Sequence, residues 1–358
     1  MNDERVMILK MLREEKISVE EADALLQALD SRPEEETGFG AGTDRSEEPR
    51  DDDRRGSGRM KKKKKRGFDI EIDLGGLENL GEQLKETFGD LGKTLKESFA
   101  DFPVFDGDFS MNFGNAKVED EKSVNFPVGS VPELLLRNKW GDIEITGEDR
   151  DDIAIDARIM LWGVDEEQAR QQLKNLEILF DAETGELGYQ SDSSTPALRV
   201  RINYRIRMPR GLPLRIENLS GDISVSRMEA GIDAKSLSGN IDLADCRGDL
   251  ELNSKSGDIT LKSDSRNVRA VSISGDIRAE LQISEEVSMS SVSGDLNLGM
   301  SAGNNADIRI STMSGDIAVE GDVEVDERKE RKLKARLGEG GSPVSMKTTS
   351  GDVMFRAL

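Results

Sequence analysis

The chain has 358 residues, a formal net charge of −22 and no histidine, and aromatic residues make up 4% of it. The charge disfavours long-range attraction to nucleic acid, and without histidine there is no Ser-His-Asp or Cys-His nucleophile, no His-ligated zinc and no imidazole acid–base step. One cysteine, Cys246, excludes an internal disulfide and a Cys-rich metal centre, and so few aromatics suit a narrow core of Ile, Val, Leu and Ala better than a large enzyme interior.

Met1 to Lys10 lacks the uncharged apolar centre of an export signal, and no run of about 18 apolar residues occurs. The expected location is cytoplasmic or peripheral at the inner face of the membrane, with export by an unrecognised route left open.

Residues 1–30 read as a small helical hairpin. Val6, Ile8, Leu9 and Leu12 form one stripe, and Ala22, Leu25, Leu26 and Leu29 another; Ser18 with Glu21 makes a capping box for the second helix. Two helices this short bury too little to stand alone, so self-association or docking is expected. Residues 31–60, with Glu34–Glu36, Asp51–Asp53 and no apolar period, read as a disordered acidic linker.

Residues 61–102 combine a basic block with an amphipathic helix. Lys61, Lys62, Lys63, Lys64, Lys65 and Arg66 are contiguous, and Leu77, Leu80, Leu84, Phe88, Leu91, Leu95 and Phe99 then recur at steps of three and four. Two readings stand side by side, with nucleic-acid contact by the lysine run as a lesser third. The segment lies on an anionic membrane surface, helped by about 1 kcal/mol per basic residue, or its apolar stripe packs against itself or the end of the following domain. The acidic residues on its polar face favour packing; the lysine run favours the membrane.

Residues 102–130 read as irregular and lead into the β-strand-repeat domain, 125–358. This domain is organised on a corner motif. Gly141, Gly221, Gly239, Gly257, Gly275, Gly294, Gly315 and Gly351 recur, each followed by Asp or Asn, and from Gly221 onward each is preceded by Ser. From Gly221 the spacings are 18, 18, 18, 19, 21 and 36, the last being two periods of 18. Seven and five residues before each glycine the chain is apolar, three before it is small and polar, and two and four after it is apolar again. Steps of two mean strands with one buried face. The expected fold is therefore mainly β, a C-terminal β-solenoid of about 18-residue repeats whose units stack about 4.8 Å apart. An antiparallel sandwich of short strand-turn units is the rival geometry.

The array is broken by an insertion at about 158–212. Asp165 reads as the N-cap of a helix to Leu176; strands Leu176–Phe180 and Leu187–Ser191 follow, and then a long strand from Leu198. That strand carries Arg199, Arg201, Arg205 and Arg207 on its polar face, either paired with carboxylates or forming a docking face for an anionic partner. Residues 322–340 read as a protruding hairpin or coil that fills the missing period before Gly351. Cys246 reads as a small side chain in a turn, with a reactive thiol as the alternative.

Stacked corners place Asp222, Asp258, Asp276, Asp295 and Asp316 in a row, where neighbours about 5 Å apart repel by about 1 kcal/mol in a water-like dielectric. Either each carboxylate accepts a backbone N–H at its turn or calcium runs along the ladder; the paired glycines of calcium-binding nonapeptides are missing. No catalytic, cofactor or metal residue is assigned.

The Ser-Gly-Asp-Ile units, the early unit at Gly141, the insertion and the N-terminal helical module (Met11–Ala22) together resemble the bacterial "putative adhesin" β-strand-repeat family in its LiaX/YvlB-like form, with a SHOCT-like helical module. The resemblance implies a non-catalytic scaffold linked to cell-envelope stress, with envelope or regulatory proteins as partners. An adhesin for surface ligands and a carbohydrate-active solenoid enzyme are the alternatives.

Overall fold

The computed structural model describes residues 116–163, 165–190, 199–282 and 284–358. The chain divides into two compact units, Met1–Lys64 and Lys65–Leu358, and all the described residues belong to the second. The hairpin at 1–30, the linker at 31–60 and the segment 61–102, with Lys61–Arg66, Leu84, Phe88, Leu91, Leu95 and Phe99, lie outside the described residues.

In chain order, β1 (Ala116–Pro127) precedes the first corner unit, β2 (Leu134–Trp140) and β3 (Ile143–Glu148). An interruption holds β4 (Asp152–Gly163), helix α1 (Glu166–Asn175), β5 (Glu177–Phe180), β6 (Glu186–Gln190) and β7 (Arg199–Pro209). Units then follow as β8 (Leu214–Ser220) with β9 (Ile223–Ser226), β10 (Ile232–Ser238) with β11 (Ile241–Cys246), and β12 (Leu250–Ser256) with β13 (Ile259–Ser263). Next come β14 (Asn267–Ser274) with β15 (Ile277–Leu281), β16 (Glu286–Ser293) with β17 (Leu296–Met300), and β18 (Ala306–Ser314) with β19 (Ile317–Glu320). A hairpin, β20 (Glu324–Lys329) and β21 (Lys332–Leu337), leads to the last unit, β22 (Ser342–Ser350) with β23 (Val353–Ala357).

These strands form two sheets. Sheet A has 11 strands in the order β1-β4-β7-β3-β9-β11-β13-β15-β17-β23-β19, and sheet B has 12 in the order β20-β21-β18-β22-β16-β14-β12-β10-β8-β2-β6-β5. Each unit gives its first strand to sheet B and its second to sheet A. Neighbouring units pair in parallel, Ile232 opposite Leu250 and Ile241 opposite Ile259. That pairing is a stack of rungs, not an antiparallel sandwich.

The alternation of side chains explains the core. Leu250, Leu252, Ile259 and Leu261 are each at most 2% exposed, as are Val344, Met346, Val353 and Phe355. The two sheets meet through these aliphatic columns. The small polar position faces inward too. Thr348 Oγ1 donates to the Gly294 carbonyl at 3.1 Å and Thr312 Oγ1 to that of Gly351 at 3.1 Å, so these two buried hydroxyls are satisfied across rungs, whereas Ser236 Oγ in the same column has no partner.

Rung order departs from chain order at one end. The last unit does not sit at the tip. β22 pairs with β16 on one side and β18 on the other, and β23 lies between β17 and β19. The 36-residue gap before Gly351 is thus not an empty period filled by 322–340. The β20–β21 hairpin instead extends sheet B beyond β18, pairing antiparallel with it through β21. Two adjacent repeats are interchangeable by pattern, so the chain can lay down the tip first and thread its end behind it.

The other end is closed by the interruption. β7 continues sheet A beside β3 in parallel, and β4 and β1 add antiparallel strands. The interruption begins directly after β3, earlier than residue 158, because Ile153, Ile155 and Ala157 belong to the long β4. Residues 116–127 form an edge strand where irregular chain was expected: Val118 is buried and Val124 and Phe126 pack on the core, among charged neighbours that mask the alternation. Helix α1 is capped by Asp165, whose carboxylate accepts the Glu167 amide at 3.1 Å, and its Ala169–Leu173 face packs over β1 and β4. The outermost strands are either charged, as β1 and β20, or four residues long, as β5 and β19. Both features discourage further strand addition.

Candidate binding surface

The corners explain both the glycine and the aspartate. Gly257 has φ +150°, and a Cβ built on it lies 2.2 Å from the Gly239 carbonyl oxygen in the rung below. Gly141, Gly221, Gly239, Gly275, Gly294, Gly315 and Gly351 meet a neighbouring backbone oxygen at 2.0–2.2 Å in the same way. No other residue fits so close a backbone approach.

The aspartates form a continuous ladder. Asp276 N donates to Asp258 Oδ1 at 2.9 Å, Asp295 N to Asp276 Oδ1 at 2.9 Å, Asp352 N to Asp295 Oδ1 at 2.8 Å and Asp316 N to Asp352 Oδ1 at 2.8 Å. Each carboxylate therefore accepts the amide of the next rung rather than one in its own turn. Asn240 holds its place through the amide oxygen, which accepts the Asp258 amide at 2.9 Å. At the start, Asn203 in β7 accepts the Asp142 amide at 3.1 Å. Arg278 adds cationic relief, reaching Asp276 at 2.6 Å and Asp258 at 3.4 Å. Among the described residues no three Asp, Glu or Cys side chains gather as a cation site.

Beyond this ladder, the outer face of sheet A forms a shallow concavity of about 620 Å³ where β1, β4, β7, β3 and β9 meet. Asp156, Arg158, Glu144, Arg205, Glu121 and Asn203 are among its lining residues. They are cross-linked: Ser123 Oγ donates to Asp156 at 2.7 Å, Arg207 pairs with Asp156 at 3.1 Å, Arg205 with Glu144 at 3.0 Å and Arg158 with Glu119 at 2.8 Å. Hydrogen bonds from Lys117 and Arg158 hold the Glu119 carboxyl below its usual range.

The arginine row of β7 is thereby placed. Arg205 and Arg207 are paired, Arg201 lies 4.0 Å from Asp142, and Arg199 lies 5.4 and 5.5 Å from the Trp140 and Trp162 ring centroids. These are carboxylate pairs and cation–π contacts. Trp140 occupies the place of the corner serine, opposite Ser220.

Cys246 is not in a turn. It ends β11 beside a bulge at Asp245, fully buried, and burial pushes its thiol above the ordinary range. A buried, protonated thiol is inert.

Residues 213–356, from β8 to the end of the stack, match the family described as Toastrack DUF4097, and residues 3–34 match a SHOCT-like domain family. No curated protein matches the chain. Among solved structures, a "putative cell adhesion protein" from Clostridium sporogenes is similar at 12% identity, covering 68% of this chain and 100% of that one, with a TM-score of 0.28. A "putative adhesin" from Bacteroides fragilis is similar at 12% identity over 66% of this chain and 97% of that one, TM-score 0.34. A "putative lipid binding protein" from Parabacteroides distasonis is similar at 12% identity over 68% and 98%, TM-score 0.32.

A mainly β, repeat-rich C-terminal region with an N-terminal SHOCT-like match is what the chain presents. No described helix is long and apolar enough to cross a membrane.

Proposed function

We propose that the chain is a non-catalytic repeat scaffold that binds a macromolecular partner on the outer face of sheet A. The supporting observation is how the strands divide their side chains. Inward columns are aliphatic and filled, while Asp242, Thr260, Lys262, Arg278 and Glu280 stand exposed on successive rungs of sheet A. Recognition is then a surface event on a ladder with a spacing of about 4.8 Å. Such a face suits an extended ligand better than a small molecule, which needs an enclosing pocket.

Two partners fit this reading. One is a surface ligand, as an adhesin binds. The other is an envelope or regulatory protein of an envelope-stress response of the LiaX/YvlB-like kind. In that case the chain sits at the inner face of the membrane, its N-terminal helices self-associate, and Lys61–Arg66 adds attraction to an anionic leaflet.

The test is capture of partners by the full chain and by an Arg158→Glu, Arg205→Glu, Lys262→Glu variant. A partner lost on charge reversal supports the sheet A face; identical capture contradicts it. Fractionation separates the two partner classes, the adhesin reading requiring the chain outside the cell. Polysaccharide turnover abolished by one Asp substitution overturns the non-catalytic reading.

A further inference from the structure

Part of the outer face of sheet B is covered where that of sheet A is bare, although Arg215, Glu251 and Arg309 on the same face stay exposed. Glu217 is 6% exposed, Leu219 6%, Asn253 0%, Val271 1% and Ser290 5%. Except for Leu219, each directly precedes an inward-facing residue (Asn218, Ser254, Ser272 and Ser291), and Leu219 directly follows one, so all five point away from the core. Neighbours within a sheet do not bury such positions by themselves: Thr260 and Arg278, outward on sheet A with neighbours on both sides, are exposed. Leu237, Ile273, Val292 and Met313 extend the same face and are half-buried.

Apart from Arg137, which pairs with Glu217 at 2.7 Å, the described elements do not supply the cover. Helix α1 packs on β1 and β4, which belong to the other sheet. Asn253, in the middle of the face, is fully shielded, and neither amide atom has a hydrogen-bond partner; Asp233 Oδ1 and Arg269 Nε on the same face are likewise shielded and unpaired. A face open to water leaves such groups solvated. A face closed by an apolar layer does not.

We propose that residues 77–99 of this same chain form that layer, as an amphipathic helix lying across the rungs. Two observations select it. Its stripe of Leu84, Phe88, Leu91 and Leu95 matches the outward column of Leu219, Leu237, Ile273 and Val292, which Lys255 interrupts. Its 23 residues give about 34 Å of helix, and the parallel run from β2 to β18 on sheet B spans eight strands, about 34 Å at 4.8 Å each. The 16 residues between Phe99 and β1 reach up to about 53 Å when extended, so the connection sets no barrier.

The test uses the full chain with one reporter cysteine at a time, Ser290→Cys on sheet B or Thr260→Cys on sheet A, labelled with a maleimide. Cys246, buried, stays unlabelled while the stack is folded. Ser290→Cys is expected to label at least about tenfold more slowly than Thr260→Cys, and to approach its rate when Leu84→Asp, Phe88→Asp and Leu91→Asp are added. Equal rates in the unaltered chain overturn the proposal, and so does slow labelling that persists in the triple variant, which assigns the cover to something else. If the triple variant unfolds and Cys246 labels, a second measurement decides. Leu84→Cys, Phe88→Cys, Leu91→Cys or Leu95→Cys is combined with Val292→Cys and treated with a short bismaleimide. A product within one chain supports the proposal; none, or only a product between two chains, overturns it.

Discussion

The Asp258 carboxylate accepts the backbone amide of Asp276, 18 residues further on, at 2.9 Å. An acidic row on an acidic protein is thereby converted into a hydrogen-bonded spine. The repulsion between successive carboxylates, about 1 kcal/mol per neighbour in a water-like dielectric, is offset by an amide donor at every rung and, midway, by Arg278. The spine needs an oxygen acceptor rather than a charge, as Asn240 demonstrates by occupying one step. Asp258→Asn should therefore leave stability nearly unchanged, whereas Asp258→Ala strands the Asp276 amide and should cost about 1 kcal/mol. Chemical denaturation of both variants measures the difference.

The corner glycines should be the least tolerant positions in the stack. Gly257→Ala places a Cβ 2.2 Å from the Gly239 oxygen at a φ of +150° and should cost about 3 kcal/mol or more. Gly303→Ala, with no atom near the new Cβ, should stay within about 0.5 kcal/mol. Shifts of the denaturation midpoint compare the two.

Phe355 fills the centre of the inserted last rung and is 0% exposed. Phe355→Ala should cost about 3–5 kcal/mol. Because that rung lies between two others, amide exchange should quicken in β18–β21 as well as in β22 and β23. In a stack built in chain order, Phe355 would sit at the tip and its loss would loosen the tip alone.

The terminal hairpin carries a pH-sensitive pair of contacts. Hydrogen bonds from Lys329 and then Lys334 lower the Glu327 carboxyl from 4.5 to about 2. A depressed carboxyl contributes stability that is fully present above its unfolded value, near 4.5, and that contribution fades as the pH falls toward 2. Glu327 is half-exposed and both its lysine partners are exposed, so the contribution is small. A carboxyl NMR titration should place the Glu327 midpoint near 2, and Glu327→Gln should flatten the hairpin's response across that window.

The repeating columns were readable from the chain because burial in a narrow stack imposes a strict alternation, and because a backbone approach near 2.2 Å admits only glycine. What escaped reading lacked a periodic signal. Asn203 begins the ladder from β7, a strand with no corner motif, and only its register opposite Asp142 reveals the role. β1 hides its few apolar residues among charges that protect an edge. The order of the last rungs is invisible because neighbouring units have interchangeable patterns, and pairing preference alone does not say which lies at the tip. The β7 arginines left two readings open, since pairing depends on carboxylates about 50 to 60 residues away in sequence that the fold brings within reach. The contrast between the two outer faces was present in the residues, in Leu219, Leu237, Val271, Ile273 and Val292 on one strand of each unit and charged residues on the other.

The inserted last rung is tested most directly by disulfide formation between exposed corner positions. Ser293 lies opposite Ser350, and Ser314 lies one rung beyond. Adjacent parallel strands hold Cα atoms about 4.8 Å apart, within disulfide range, while two steps exceed it at about 9.6 Å. Oxidation of a Ser293→Cys, Ser350→Cys pair should close a bond within one folded chain, and a Ser293→Cys, Ser314→Cys pair should remain reduced. The reverse outcome, a bond from 293 to 314 and none from 293 to 350, contradicts this rung order.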